Sequence, residues 1–594
     1  MFGARAAMAA WLGVALAQAQ TQNGREAAVI LISIDTLRAD HLGAYGYRKI
    51  STSNLDSFAE QGTIFSDVSS QIPLTLPSHT SLFTSTYPFK NEVEENAEIV
   101  PAGAVTLSSV LRSHGYQTAA FIGSNLLDRR FGLDQGFDFY DSPFEAPTNG
   151  LANPYSASVR RDGALVLRAA RSWLNTHSGK PALVFIHLFD LHAPYKLAPR
   201  KGSSEPETAG YDAEIGYVDR ILGDFKRFLA QSGWWDKSLV VLLSDHGESL
   251  GEHGETSHGY FIYQSTLHVP LIVHWPAGEP KHPERVSQPA GLIDVAPTIL
   301  DWLHIPIPAS FEGESLVSSS AHEPHAIASE SVYARDAFRW APLFSLRLGQ
   351  WKYIEAPRSE LYDVAKDPRE QSNILAANSA EAASLRGELS RLRARYQQSQ
   401  AAPAQDTSHG TREALKSLGY LAGGGPKAVN RSAPDPKDRI EEYQLFDRAL
   451  DALYSRRLEA AIHGFQQVLA KDRNNLPALG NLGDAYLRAG QPDAAVREWT
   501  AALALDSGYS PAAQALGEHG LAEKNWAKAQ QYLDQALAAA PGDHTVEFEL
   551  AIAEENLGMF DKALEHVKAA CGPNPPSSCQ NELREIEAKR KAAP

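Results

Sequence analysis

AVILISIDTLRAD, residues 28–40, reads as a strand buried on both faces that stops at an aspartate. Apolar residues fill odd and even positions alike, as a central strand of a parallel sheet requires. The same cadence returns in TAAFIG (118–123), ALVFIHLF (182–189), LVVLLS (239–244) and VPLIVHW (269–275). Helical stretches lie between them: Asn54 can cap NLDSFAEQG ahead of Gly62, and TLSSVLRSHG ends at Gly115. From Ala28 to about Ile305 the order is that of an α/β fold, a mainly parallel sheet with helices on both faces. Beyond it, AIASESV, LFSLRLG and QWKYIEA predict a small antiparallel C-terminal sheet within about residues 320–400, and a helix comes after it at roughly 377–397.

The carboxyl-terminal part has a different texture. Residues 421–438 read as a Gly/Pro-rich linker, which implies few contacts between the 28–420 domain and the carboxyl-terminal segment. In 439–580 alanines fall at 461, 495, 529 and 563, a spacing of 34, with Phe465, Trp499, Leu533 and Val567 in the same register. Leu469, Leu503, Leu537 and Cys571 hold the next register position. This period resembles tetratricopeptide repeats, an all-α solenoid whose concave face takes a protein or peptide partner.

Composition narrows the function. The 594 residues carry 55 basic and 71 acidic side chains, net −16, without basic stripes, which argues against nucleic acid as partner. An anionic ester remains admissible if a metal supplies local positive charge. Residues 1–19 read as a signal peptide, so the mature chain is expected to be periplasmic or secreted, and no later segment is apolar enough to span a bilayer. The two cysteines, Cys571 and Cys579, lie far from the strands, which excludes thiol chemistry there; a disulfide between them and a buried Cys571 are both open.

Three strands end in aspartates, Asp35, Asp190 and Asp245, and ligands of open parallel sheets sit at those ends. Histidines accompany them: His192, His246, His253 and His258. Mixed carboxylate and imidazole suits zinc or manganese better than calcium, which prefers oxygen alone. PLTLPSHTSLFTS (73–85) adds a hydroxyl-rich segment in which Pro77 fits the first turn of a helix, placing Thr75 just before the helix start. A nearby cation would let Thr75 act as a nucleophile.

With these motifs in hand, IDTLRADHLGAYGY (34–47), TLPSHTSLFTS (75–85), SDHGESLGEHG (244–254) and LYDVAKDPREQSN (361–373) resemble the sulfatase family of the alkaline phosphatase superfamily. The family's Cys-x-Pro-Ser-Arg frame, whose cysteine becomes formylglycine, here reads Thr75-Leu76-Pro77-Ser78-His79, and threonine cannot be converted. Asp35-Thr36 replaces an Asp-Asp pair, Asp245-His246 an Asp-Asn pair, and His258 stands where a lysine is expected. IGSNLL (122–127) occupies the place of the Gly-Lys-Trp-His signature. The phosphatase, phosphodiesterase and phosphoethanolamine-transferase branches have such departures. The resemblance implies Asp35, Thr75, Asp245 and His246 at one metal, and Asp190, His192 and His258 at a second. Alternatively, His192 and His258 serve the ester at a one-metal site. His79 and Asn125 are candidates for binding ester oxygens. The implied activity is hydrolysis of phosphate mono- or diesters. Transfer to an acceptor hydroxyl, sulfate-ester hydrolysis without formylglycine, and binding by the repeats beside a vestigial catalytic domain are the alternatives.

Overall fold

The computed structural model describes residues 27–60, 62–96, 98–144, 159–177, 180–197, 206–317, 325–396, 433–571 and 577–592. The proposed signal peptide and residues 421–432 of the expected linker lie outside them. The large sheet is built from β1 (Ala28–Ile34), β2 (Gly62–Phe65), β4 (Gln117–Phe121), β5 (Phe139–Asp141), β6 (Ala182–Leu188), β7 (Ser238–Leu243), β8 (Leu271–His274) and β9 (Arg285–Val286), while β3 (Val68–Ser69) pairs separately with β10 (Ala290–Gly291). The strand order is β5-β4-β6-β1-β7-β8-β2-β9. Its first five strands are parallel, and β8 runs antiparallel to both β7 and β2. Every residue of β1, β6 and β7 is buried, because helices cover both faces.

Two local expectations change. The helix at NLDSFAEQG is only Ser53–Asp56, and Asn54 does not cap it: its amide donates to Asp219 Oδ2 at 2.7 Å, tying it to the helix Pro206–Gln231. The helix Thr75–Thr84 starts at Thr75 itself, one residue earlier than Pro77 alone suggests.

The small antiparallel sheet is β11 (Ile327–Ser331), β12 (Leu343–Leu348), β13 (Trp351–Glu355) and β14 (Glu360–Asp363), backed by the helix Ser379–Ala394. Helices from Ile440 onward pair as the 34-residue period demands. Ala461, Ala495, Ala529 and Ala563 are all fully buried, with Phe465, Trp499, Leu533 and Val567 packed in the same layers. Cys571 is disulfide-bonded; Cys579, the chain's other cysteine, has no described side chain.

The expectation of few contacts across the boundary fails. One apolar cluster joins Tyr260, Tyr333, Phe338 and Trp340 of the α/β body to Tyr443, Phe446 and Leu450 of the first repeat helix. Residues entering the repeats are pinned as well: Ala341 N donates to Pro434 O and Arg358 N to Asp435 Oδ2, both at 2.9 Å. A Gly/Pro-rich composition signals a flexible covalent connection; it says nothing about the aromatic faces on either side of it.

Candidate active site

The site forms where β1 and β7 end side by side. Asp35 follows β1, and its backbone N–H donates to Leu188 O of β6 at 2.9 Å, extending the ladder by one residue. The chain then turns sharply: Thr36 has φ 58°, a left-handed conformation costly for a β-branched residue, at roughly 1–3 kcal/mol. Tyr211 holds that turn, donating to Thr36 O at 2.6 Å while accepting from Arg38 N at 2.9 Å.

Asp245 presents one oxygen and anchors the other. Its Oδ1 accepts from His246 N at 2.9 Å and Thr36 N at 3.3 Å, whereas the buried Oδ2 has no hydrogen-bond partner. His246 is oriented the same way: Nδ1 donates to Gly247 O at 2.9 Å, and the buried Nε2 has no hydrogen-bond partner, lying 3.5 Å from Asp245 Oδ2. Asp35 Oδ1 is a third such atom. Ligand atoms from Asp35, Asp245 and His246 lie within 4.8 Å of one another. Burial, with Glu248 nearby, raises the Asp35 carboxyl to about 7, and burial and the Asp35 charge raise that of Asp245. Two converging buried carboxylates and an imidazole with its second nitrogen fixed fit a divalent cation.

Thr75 stands at this cluster. Its Oγ1 donates to Asp35 Oδ2 at 3.3 Å. The helix it opens is locked to β7's end by Ser78 Oγ, which donates to Asp245 O at 2.8 Å. Thr80 and Thr84 turn their hydroxyls back to the carbonyls of Leu76 and Thr80, so they serve the helix.

His79, expected at the ester oxygens, is held behind Thr75. Nδ1 bonds Thr75 O at 2.7 Å and Nε2 bonds Ser33 Oγ at 2.9 Å, so both ring nitrogens are committed and the fully buried ring braces Thr75 from behind. Burial depresses its pKa to about 4. Asp190 is engaged through one oxygen only: Oδ1 accepts from Gly163 N at 3.1 Å at the start of the helix Gly163–Thr176, where a helix N-terminus draws a carboxylate, while the buried Oδ2 has no hydrogen-bond partner. Burial lifts its pKa to about 6, and it joins no ligand triad among the described residues. His192 and His258 do approach the site. Their rings meet edge to face at 5.0 Å, and His258 lies 4.4 Å from the ring of His246. Burial lowers His192 well below the ordinary histidine value and brings His258 to about 4. Asn125 opens the short helix Asn125–Leu127 with its Oδ1 buried and lacking a hydrogen-bond partner. His253 lies apart, stacked on Tyr263 at 3.6 Å.

Three further residues escape sequence reading. His187 sits in β6 beside Ser33, its Nε2 3.2 Å from Asp35 Oδ2, and ligand atoms of His187, His79 and Asp245 lie within 4.8 Å of one another, although both His79 nitrogens are already hydrogen-bonded. The histidine inside the apolar VFIHLF was its available signal. Glu248 Oε1 bonds His258 Nδ1 at 2.9 Å. Asn96 Oδ1 accepts from Leu76 N at 2.9 Å in the first turn of the Thr75 helix, and its Nδ2 is buried without a partner. Nothing in the Asn96 neighbourhood of the sequence announced it.

Residues 27–305 match the family model "Sulfatase", and 251–397 match that of the C-terminal part of N-sulphoglucosamine sulphohydrolase. The chain carries a sulfatase-family hydrolase domain. Tetratricopeptide models match 452–518 and 515–578, so the sulfatase domain is followed by such repeats. Among similar proteins are an ulvan-active sulfatase of Formosa agariphila, 25% identical over 395 residues (58% of this chain, 76% of that protein), and arylsulfatase K of Bos taurus, 31% identical over 255 residues (38% and 46%). Solved structures with this fold include a 2-O GAG sulfatase (TM-score 0.52, 19% identity, 63% of this chain and 93% of that one). Another is the phosphonate monoester hydrolase of Agrobacterium radiobacter (TM-score 0.51, 20% identity, 62% and 96%). No described helix of the sulfatase domain or the repeats is long and apolar enough to cross a membrane.

Proposed function

We propose that the protein is an exported hydrolase of phosphate mono- or diesters in which Thr75 is the nucleophile. The observation that carries this reading is the Thr75 hydroxyl, placed at a helix N-terminus and 3.3 Å from Asp35, in the frame where the family has its convertible cysteine. Asp35, Asp245 and His246 would hold a divalent cation, with zinc or manganese favoured by the imidazole ligand. Bound there, the cation would lower the pKa of the Thr75 hydroxyl and offset the charge of the ester.

The chain's own groups do the rest. Thr75 Oγ1 gives its proton toward the Asp35 carboxylate and attacks phosphorus. The Thr75–phosphorus bond forms as the bond to the leaving oxygen breaks. The Asn96 amide, held by Leu76 N, offers its N–H to a non-bridging oxygen beside the positive end of the helix. His187 and His79 fix Asp35 and the Thr75 backbone from the buried side. His192 and His258 supply imidazoles for the ester or its leaving group, with Glu248 orienting His258. Asp190, engaged at a helix start, favours a one-cation site. Water then attacks phosphorus, the phosphorus–Thr75 Oγ1 bond breaks, and a proton from that water reaches Thr75 Oγ1 through Asp35 as phosphate leaves.

Sulfate-ester hydrolysis is the second reading, supported by relatives whose names are sulfatases. One experiment decides between them. Paired aryl phosphate and aryl sulfate esters are assayed on wild type and Thr75→Ala, and a quenched turnover is examined by mass spectrometry. A phosphoryl group on the peptide holding Thr75, and collapse of turnover in Thr75→Ala, are expected. Faster sulfate hydrolysis, or an active Thr75→Ala, refutes the threonine mechanism.

A further inference from the structure

The first repeat helix, Ile440–Tyr454, packs on the loop that carries Glu248 and His258. Tyr443 stacks face to face on Tyr260, with ring centroids 4.3 Å apart and planes 12° from parallel. Tyr260 lies two residues beyond His258, and its hydroxyl donates to Pro436 O at 2.7 Å. On the other limb of the loop, Gln444 Nε2 donates to Gly254 O at 2.5 Å. The approach there is so close that a Cβ on Gly254 would lie 2.8 Å from Ile440 Cγ1. Between the limbs, Glu255 Oε1 accepts from Tyr260 N and Phe261 N at 2.9 and 3.2 Å, which holds the loop as one unit.

We infer that Tyr443 is a positioning residue for His258, so that the first repeat is a working part of the catalytic site. The loop from Gly251 to Tyr263 has no strand pairing, and only the short 3-10 turn Glu252–Gly254 lies within it. Its course is therefore set by what it packs on. The repeat helix grips it at Gly254 and at Tyr260, on either side of His258. Tyr333, edge-on to Tyr443 at 6.4 Å, extends the same packing into the sulfatase domain. A group that touches substrate loses up to about a hundredfold in rate when displaced by roughly an ångström. Losing the Tyr443 ring removes the surface against which Tyr260 stops.

This inference rests on the site proposed above, and its test is kept independent of the nucleophile. Full-length wild type, Tyr443→Phe, Tyr443→Ala and Gln444→Leu are assayed on whichever aryl ester, phosphate or sulfate, the wild type turns over faster. Bound metal and the melting curve are measured for each. Tyr443→Ala is expected to lower kcat about ten- to a hundredfold, well below its own melting temperature, with metal content unchanged. Its KM should stay within about threefold of wild type, because the cation that would bind the ester is untouched. Tyr443→Phe keeps the ring and should retain kcat, and Gln444→Leu should lose less than Tyr443→Ala, in the same direction. Wild-type kcat in folded Tyr443→Ala overturns the inference, as does a loss explained by missing metal. If Tyr443→Ala does not fold, Gln444→Leu decides, and an unchanged kcat there overturns it. An active Thr75→Ala would sink the nucleophile while leaving this comparison intact.

Discussion

Asp35 makes the metal site measurable without a substrate. Burial and the neighbouring Glu248 raise its carboxyl from 3.8 to about 7, and the group is wholly excluded from solvent. The folded, metal-free chain therefore holds a proton on Asp35 between about pH 4 and 7 that the unfolded chain releases. Where the native state binds more protons, stability falls as pH rises, so the contribution is present below pH 4 and lost by pH 7. At 1.36 kcal/mol per pH unit the full penalty at pH 8 is roughly 4 kcal/mol. For a body of this size that is several degrees of melting temperature. A divalent cation removes the penalty by pairing the ionised carboxylate, and it competes with protons at low pH. The assay is thermal unfolding of chelator-treated and metal-loaded protein at pH 5, 6, 7 and 8, alongside Asp35→Asn to subtract other titrating groups. Metal should stabilise wild type more at pH 8 than at pH 5. The chelated Asp35→Asn protein should lack the part of the pH slope that Asp35 causes. Equal metal stabilisation at pH 5 and pH 8, or the same chelated slope in both proteins, refutes the reasoning.

The same geometry sets further outcomes. His246→Ala deletes one ligand of the triad, and elemental analysis should show lost metal together with nearly all turnover. His187→Gln should weaken metal retention by about ten- to a hundredfold in a chelator competition, because Asp35 loses its buried partner. Asn96→Ala should lower kcat more than it raises KM if its amide acts on the transition state; a pure KM effect on steady-state rates would argue against that role. A chain ending near residue 425 should be aggregation-prone or melt well below full length, since it uncovers Tyr260, Tyr333, Phe338 and Trp340. A soluble truncation of wild-type melting temperature would contradict it.

Much of this molecule is legible along the chain. The strands, the helix behind Thr75 and the 34-residue repeat are written in local periodicity, because a buried strand or a repeat helix needs its apolar residues at fixed spacing. The strand-end aspartates and His246 come from that reading, since a parallel sheet delivers residues after its strands to one edge. Other assignments depended on orientation. Asp190 and His79 have the right chemistry at the right chain positions, yet one serves a helix N-terminus and the other braces Thr75 through both ring nitrogens. His187, Glu248 and Asn96 enter the site through contacts made across the sheet or between loops. The union of the repeats with the sulfatase domain is of the same kind. The sequence alone determined the elements, their order and the reactive groups at the sheet edge, because those depend on spacing within one segment. Only the tertiary structure decided which way each side chain points and that Tyr443 closes on Tyr260. Those outcomes depend on residues far apart in the chain competing for the same few ångströms of space.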